Sequence, residues 1–362
     1  MSWIFAASAD DPAASPALGA VPERAATGSL VLLLDPSLAF VMPGLPLLHL
    51  AEAGAVPRAF SLALLEDGRL HLVHRRGEAR TRLAVSLSEL ADAAAARIVY
   101  SWDLAAGRHV LSVEDLATGA ARLSRGTGPV GLSRAEMLDA CIDRRRAFGH
   151  PAMLSLAIGT APATVCQAGG VHAGTPVETA AGIVPVAQVR AGDAVRTGDG
   201  RLRRVVAVTA ERSPAIGPLR AVRLLAPYFG RSADIIVDPR QKVVVAGPDV
   251  EYLFDCEAVL ADAQALVDGT TAVREDDDPF AEWYGLVFAE HDTFAAGGCL
   301  LDGRFVGRIA GAPDILAHSA LAGLAAEGAL PVHPARRHRV LAPWETTALA
   351  EMRRRRRAPV AA

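Results

Sequence analysis

Aromatic side chains are scarce, at 5% of 362 residues, so a surface lined with stacking platforms is not expected. Charge of one sign is also missing. With 37 basic and 40 acidic residues the net charge is −3, which gives no overall pull towards nucleic acid or an anionic membrane. The four cysteines, Cys141, Cys166, Cys256 and Cys299, lie far apart with no CxxC pair, which argues against a disulfide framework or a zinc site. The first sixteen residues, MSWIFAASADDPAASP, have no basic n-region and carry Asp10 and Asp11 early, unlike a signal peptide. The uncharged run Met153 to Val177 is interrupted by Gly159, Pro162, Gln167, Gly169, Gly170 and Pro176. It therefore reads as linker and strand entry and not as a membrane span.

What the chain does have is 51% hydrophobic residues with 32 glycines and 23 prolines, a composition suited to many short strands joined by tight turns. Its length favours two domains. The expected organisation is a mobile leader over 1–28, an antiparallel β-sandwich over 29–150 and a linker over 151–169. A second all-β domain follows over 170–310, and an extension with a basic helical tail over 311–362. In the first domain Leu30 to Leu34 is a buried strand, and Phe60–Leu65, Glu66-Asp67-Gly68 and Arg69–His74 form a hairpin. Arg97–Asp103 and His109–Val113 form a second pair, with Ile98, Tyr100 and Trp102 on one face as core residues. Ser133 and Glu136 have the spacing of a capping box for a helix that reaches Arg144–Arg146. In the second domain Val250–Phe254 is expected to be extended and Glu257–Leu266 helical.

The stretch Gly174 to Val208 is the best organised. Pro176–Thr179, a turn at Ala181-Gly182 and Ile183–Val186 make one hairpin. Val186 and Val189 then fit one helical turn closed by Gly192, and a second hairpin turns at Gly198-Asp199-Gly200. GTPV from Gly174, GIVPV from Gly182 and RAGDAV from Arg190 resemble the opening of a Hedgehog/intein (Hint) domain. IIVDPRQKVVV, Ile235 to Val245, resembles that family's later strand pair, and Tyr252-Leu253-Phe254 and the His291 region are similar to its bacterial subfamily. The resemblance spans roughly residues 165–310 and implies a horseshoe-like all-β fold. It also implies autoprocessing chemistry, in which an N-terminal Cys or Ser attacks the preceding peptide carbonyl. The first domain's strand pattern is similar to a concanavalin- or laminin-G-like jelly roll, which implies sugar binding.

The family's reaction needs a nucleophile at the first position, a neighbouring base and oxyanion donors. Carried over residue by residue, the nucleophile position holds Gly170. The family's Ser/Asp-Pro-x-His turn keeps Asp238 and Pro239 but has Gln241 in place of His. Its Thr-x-x-His block and closing His-Asn pair are absent. Cys166 is the candidate displaced nucleophile, with His172 as its base; the alternative is a linker thiol. His291-Asp292 is a candidate acid/base pair or a plain loop histidine. Glu275–Asp278 is a candidate hard-cation loop or a solvated turn. The arginines Arg353, Arg354, Arg355, Arg356 and Arg357 are a candidate contact for anionic surfaces, or a solvated terminus. No cofactor, metal or specific nucleic-acid partner is expected. The leading expectation is a Hint fold without its reaction that serves as a structural or interaction module, with protein or surface-glycan partners. The alternatives are self-cleavage through Cys166 and carbohydrate binding by the sandwich. The protein would be cytoplasmic or exported by a non-classical route.

Overall fold

The computed structural model describes residues 3–10, 21–52, 56–142, 149–166, 169–230, 233–275 and 278–357. The chain divides into two compact units. The first comprises residues 1–167 with 216–218 and 314–319, and the second 168–215, 219–313 and 320–362.

The first unit is a β-sandwich. Its larger sheet runs Trp3–Ser8, Met153–Gly159, Thr27–Leu34, Ala96–Asp103, Arg108–Asp115, Ala121–Thr127, each neighbour antiparallel. The smaller sheet is a meander of Pro46–Glu52, Arg58–Leu64, Arg69–Arg76 and Ala79–Ser86. Period-two alternation puts Ile98, Tyr100 and Trp102 into the shared core beside Leu30, Leu32, Leu48, Phe60, Leu62 and Leu72. Trp102 is seated by two constraints. Its indole N–H donates to the Ala25 carbonyl at 3.0 Å, and it lies opposite Gly28, where a Cβ would stand 2.4 Å from the ring. Only glycine leaves room for that ring.

The capping box is present and reaches further than a local cap. The Ser133 N–H donates to Glu136 at 2.8 Å, and the Glu136 N–H to the Ser133 hydroxyl at 3.2 Å, at the start of the Arg134–Ile142 helix. The same carboxylate lies 3.1 Å from His74 Nε2 and accepts from Arg58 at 3.4 Å, tying the helix to the meander. Burial alone would raise its pKa. The bonds from His74 and the Ser133 N–H and the charge of Arg58 pull it below the usual glutamate value. Residues 143–148, including Arg144–Arg146, lie outside the described residues.

Two expectations for this unit change. Trp3–Ser8, assigned to the mobile leader, is a paired edge strand; residues 11–20 lie outside the described residues. Met153–Gly159, assigned to the linker, lies inside the sheet between Trp3–Ser8 and Thr27–Leu34. Its apolar side chains are buried on both faces, so it shows no alternation to mark it as a strand.

The second unit winds short strands into one continuous network of antiparallel pairs, closed by a single parallel pair at one end. Its spine is the 13-residue strand Leu202–Pro214, paired with Phe280–Phe288 and, at its other end, with Ala194–Arg196. The hairpin Pro176–Thr179 with Gly182–Pro185, the 3-10 turn Val186–Gln188 and the strand Ala194–Arg196 follow in the expected order. Gly192 and Gly200 take φ of 95° and 78°, the left-handed values their turns require. Asp199 closes the second turn. The Thr197 hydroxyl and the Arg201 N–H donate to it and, with Arg203, hold its carboxyl down at about 2. Valines dominate the core, among them Val171, Val177, Val195, Val237 and Val243.

Here too two expectations change. Val250–Phe254 is helical: the helix Pro248–Phe254 follows Gly247, has Pro at its first turn and Asp249 and Glu251 beside its N-terminus. Glu257–Leu266 is the strand Ala258–Asp262 followed by a 3-10 turn, because pairing with Lys242–Ala246 overrides helical spacing. Beyond residue 311 the chain is more than a tail: Arg339–Val340 pairs in parallel with Ala258–Asp262, and Leu341 and Leu349 enter the core.

Replacing Glu136 by Gln should destabilise the first unit by about 3 kcal/mol, the usual cost of leaving a buried cation without its partner. A lowered denaturant midpoint for that unit, with an unchanged slope, is the expected outcome.

Candidate functional site

Gly169 and Gly170 lead into the two-residue strand Val171–His172, which lies between Ile235–Val237 and Phe280–Phe288. Gly170 is buried, and its carbonyl accepts from the Asp238 N–H at 2.8 Å. A Cβ built on it would stand 2.9 Å from Trp283 Cβ and 3.0 Å from the Tyr284 carbonyl oxygen. At Gly169 a Cβ would lie 2.4 Å from Gln241 Cα, a collision with backbone. Both positions are closed to side chains by space.

The turn from Asp238 to Gln241 covers this entry. Arg240 grips the Asp238 carboxylate with its own N–H (2.8 Å), Nε (2.9 Å) and Nη2 (2.8 Å), and both side chains are buried. Asp238 therefore accepts a three-point, charge-assisted grip. Gln241 stands where the resembling family has histidine. Its amide donates to the carbonyls of Lys242 and Asp302, each at 3.0 Å, so it works as a splint between two strands. A carboxamide takes no proton near neutral pH, so Gln241 itself is no general base.

The other candidates disperse. Cys166 belongs to the first unit, where its Sγ lies 3.8 Å from the Gly119 carbonyl; it is half-buried, has a φ of 54° and forms no disulfide. His172, in the second unit, is exposed, and its Nδ1 accepts from the Gly174 N–H at 3.4 Å. It borders a cleft of about 420 Å³ together with Arg212, Phe280 and Glu282.

The pair His291-Asp292 is not formed as expected. As chain neighbours the two side chains diverge. Asp292 accepts from the Thr293 N–H at 2.8 Å and lies 2.9 Å from Arg203 Nε. His291 instead has Nε2 3.1 Å from Asp302 Oδ1, off the line of a hydrogen bond, and its Nδ1 accepts from the Arg337 N–H at 3.0 Å. Asp302 also pairs with Arg336, which stacks over Phe305 at 4.4 Å. His333 stands beside them, its ring centroid 5.5 Å from that of His291. No local spacing announces this group, because its members are up to 46 residues apart.

Glu275 pairs with Arg223, and Asp278 accepts from the Phe280 N–H at 2.8 Å; Asp276 and Asp277 lie outside the described residues. Among the described residues no three His, Cys, Asp or Glu side chains are grouped to hold a metal. Arg353 does not extend into solvent. It donates to the Ala246 carbonyl at 2.9 Å and lies 3.7 Å from Asp249, while the side chains of Arg354, Arg355, Arg356 and Arg357 lie outside the described residues. Tyr100 and Trp102 are core residues, 0% and 1% exposed, so neither is a sugar-stacking platform. Among the described residues no helix is long and apolar enough to cross a membrane.

Comparison with solved structures returns likenesses that cover 37–38% of this chain. The gp41-1 intein is 12% identical with a TM-score of 0.25, covering 38% of this chain and 100% of that one. The MchDnaB-1 intein is 14% identical with a TM-score of 0.25, covering 37% and 99%. A bacterial intein-like domain from Clostridium thermocellum is 19% identical with a TM-score of 0.26, covering 38% and 99%. No curated protein sequence matches the chain. The Hint domain family does match, over residues 170–308. Its match begins at Gly170, the first residue of the entry strand's approach, and takes in the two hairpins, the Asp238 turn and the strand that ends at Asp302. This is a Hint domain-containing protein, its Hint domain lying at residues 170–308.

Proposed function

We propose that this Hint domain retains the autoprocessing fold without self-cleavage and acts as a structural or interaction module. The observation that carries the reading is Gly170. The position that would supply the nucleophile has no side chain and no space for one, since a Cβ added there would meet Trp283 and Tyr284 within 3.0 Å. Two neighbouring facts support it. Asp238 is held by Arg240, and Gln241 splints Lys242 and Asp302 in place of a basic imidazole. Covalent catalysis needs a nucleophile and a base within hydrogen-bond reach of each other, and no such pair is found at this entry among the described residues.

The self-cleaving alternative falls to Cys166. The same experiment tests both readings: intact mass of freshly purified protein, and of Cys166→Ala, before and after several days with added thiol. A single full-length mass in both proteins is the expected result. Cleavage near residue 166 in the wild type that is lost in Cys166→Ala would overturn the proposal.

A second prediction concerns the packing itself. Gly170→Cys should destabilise the second unit by roughly 1–3 kcal/mol, the usual cost of forcing atoms into a filled core. It should also leave the chain full length. Denaturant unfolding and intact mass check the two halves of that statement.

A further inference from the structure

The segment 333–341 lies past the end of the Hint match, and hydrogen bonds at both ends hold it to the rest of the second unit. His333 Nδ1 accepts from the Val306 N–H at 3.1 Å, and its Nε2 lies 2.9 Å from the Phe288 carbonyl oxygen. The facing groups fix the tautomer: Val306 can only donate and the Phe288 oxygen can only accept, so the ring is neutral with its proton on Nε2. His291 Nδ1 accepts from the Arg337 N–H at 3.0 Å, which again requires an unprotonated Nδ1. At the far end the Leu341 N–H donates to the Leu260 carbonyl at 2.8 Å. Between these points Arg339–Val340 pairs in parallel with Ala258–Asp262 and covers the outer edge of that apolar strand.

We propose that residues 333–341 are an acid-released strap, latched by the neutral imidazoles of His333 and His291 over the Ala258–Asp262 edge. A proton added to either Nδ1 sets an N–H against an N–H and breaks the latch at that point. The charged groups around the latch are known from each side. Arg336, Arg337 and His338 come from the strap itself, Asp302 from the strand Cys299–Asp302, Asp292 from the loop after Phe280–Phe288, and Arg203 from the long strand. Asp302 and Asp292 favour protonation, but Asp302 is engaged by Arg336 and Asp292 by Arg203.

Burial first, then His291 and Arg336, hold the His333 pKa below the ordinary histidine value; burial, then Arg337, do the same for His338. A histidine with a lowered folded pKa binds fewer protons folded than released. Closure is therefore fully favoured above the released-state value, about pH 6.5, and weakens as the pH falls below it. Release leaves the backbone of Ala258–Asp262 unpaired on that side, an edge able to accept another strand.

Amide hydrogen exchange of the full chain, expressed as protection factors, reads the latch directly. Between about pH 7.5 and about pH 5.5, protection of Arg339, Val340 and Leu341 should fall by roughly tenfold or more. Protection in Leu202–Pro214 and Phe280–Phe288 should hold. The His333→Asn, His291→Asn double variant keeps an acceptor near each Nδ1 and cannot titrate there, so the fall in its strap protection should shrink to the part that His338 contributes. Unchanged strap protection in the wild type, loss spread over the whole unit, or an equal fall in the double variant would each overturn the proposal. If the double variant does not fold, the contrast between local and unit-wide loss in the wild type decides the matter alone.

Discussion

Three stretches of backbone converge on Gly170, and their closeness sets the form of the second unit. The entry strand is only Val171–His172, yet it pairs with Val237 on one side and with Trp283 and Tyr284 on the other. Its approach is possible because Gly169 and Gly170 offer no Cβ to the turn at Gln241 or to the strand at Trp283. The Asp238 N–H then closes on the Gly170 carbonyl, and Gln241 carries the connection to Asp302. A side chain at Gly170 would need space that the contacts seating the strand already occupy.

Several buried polar groups are tied to elements distant in sequence. Glu136 joins a helix start to His74 and Arg58. Arg97, 1% exposed, bonds Glu114 across the sheet and the Thr164 carbonyl beyond it. Arg304 reaches Glu211 at 3.3 Å. The cost of burying a charge makes such ties obligatory once the fold forms, so they define register as much as stability. The His291 and His333 latch belongs to the same class, with one difference. At each Nδ1 the partner is a main-chain N–H donor, so the latch depends on those two nitrogens staying unprotonated.

Much of the fold was legible where local chemistry and tertiary packing agree. The two hairpins from Gly174 to Val208, the Ser133–Glu136 capping box and the inward face of Ile98, Tyr100 and Trp102 all rest on turn residues or strict alternation. Where packing decides, local signals failed. Met153–Gly159 is buried on both faces and so shows no period. Ala258–Asp262 is a strand because two neighbours pair with it. The Pro248–Phe254 helix was readable from Gly247, Pro248 and two acids near its start, a signal that the extended reading of Val250–Phe254 passed over. For the site, the sequence placed Gly170 and Gln241 at the resembling family's nucleophile and histidine positions, but the closed space around Gly170 could not be read from it. The true partner of His291 was hidden too, since Asp302, Arg336 and Arg337 meet it only through the fold.

Hydroxylamine treatment of the native full-length protein, followed by intact mass, probes most directly whether this Hint fold has lost its acyl shift. Hydroxylamine cuts thioesters and esters but spares ordinary peptide bonds under mild conditions. If the fold acts without self-cleavage, as proposed, the protein should remain a single full-length species at every time point. Two fragments that divide the chain just before the Hint domain, the upstream one carrying a hydroxamate, would contradict that conclusion.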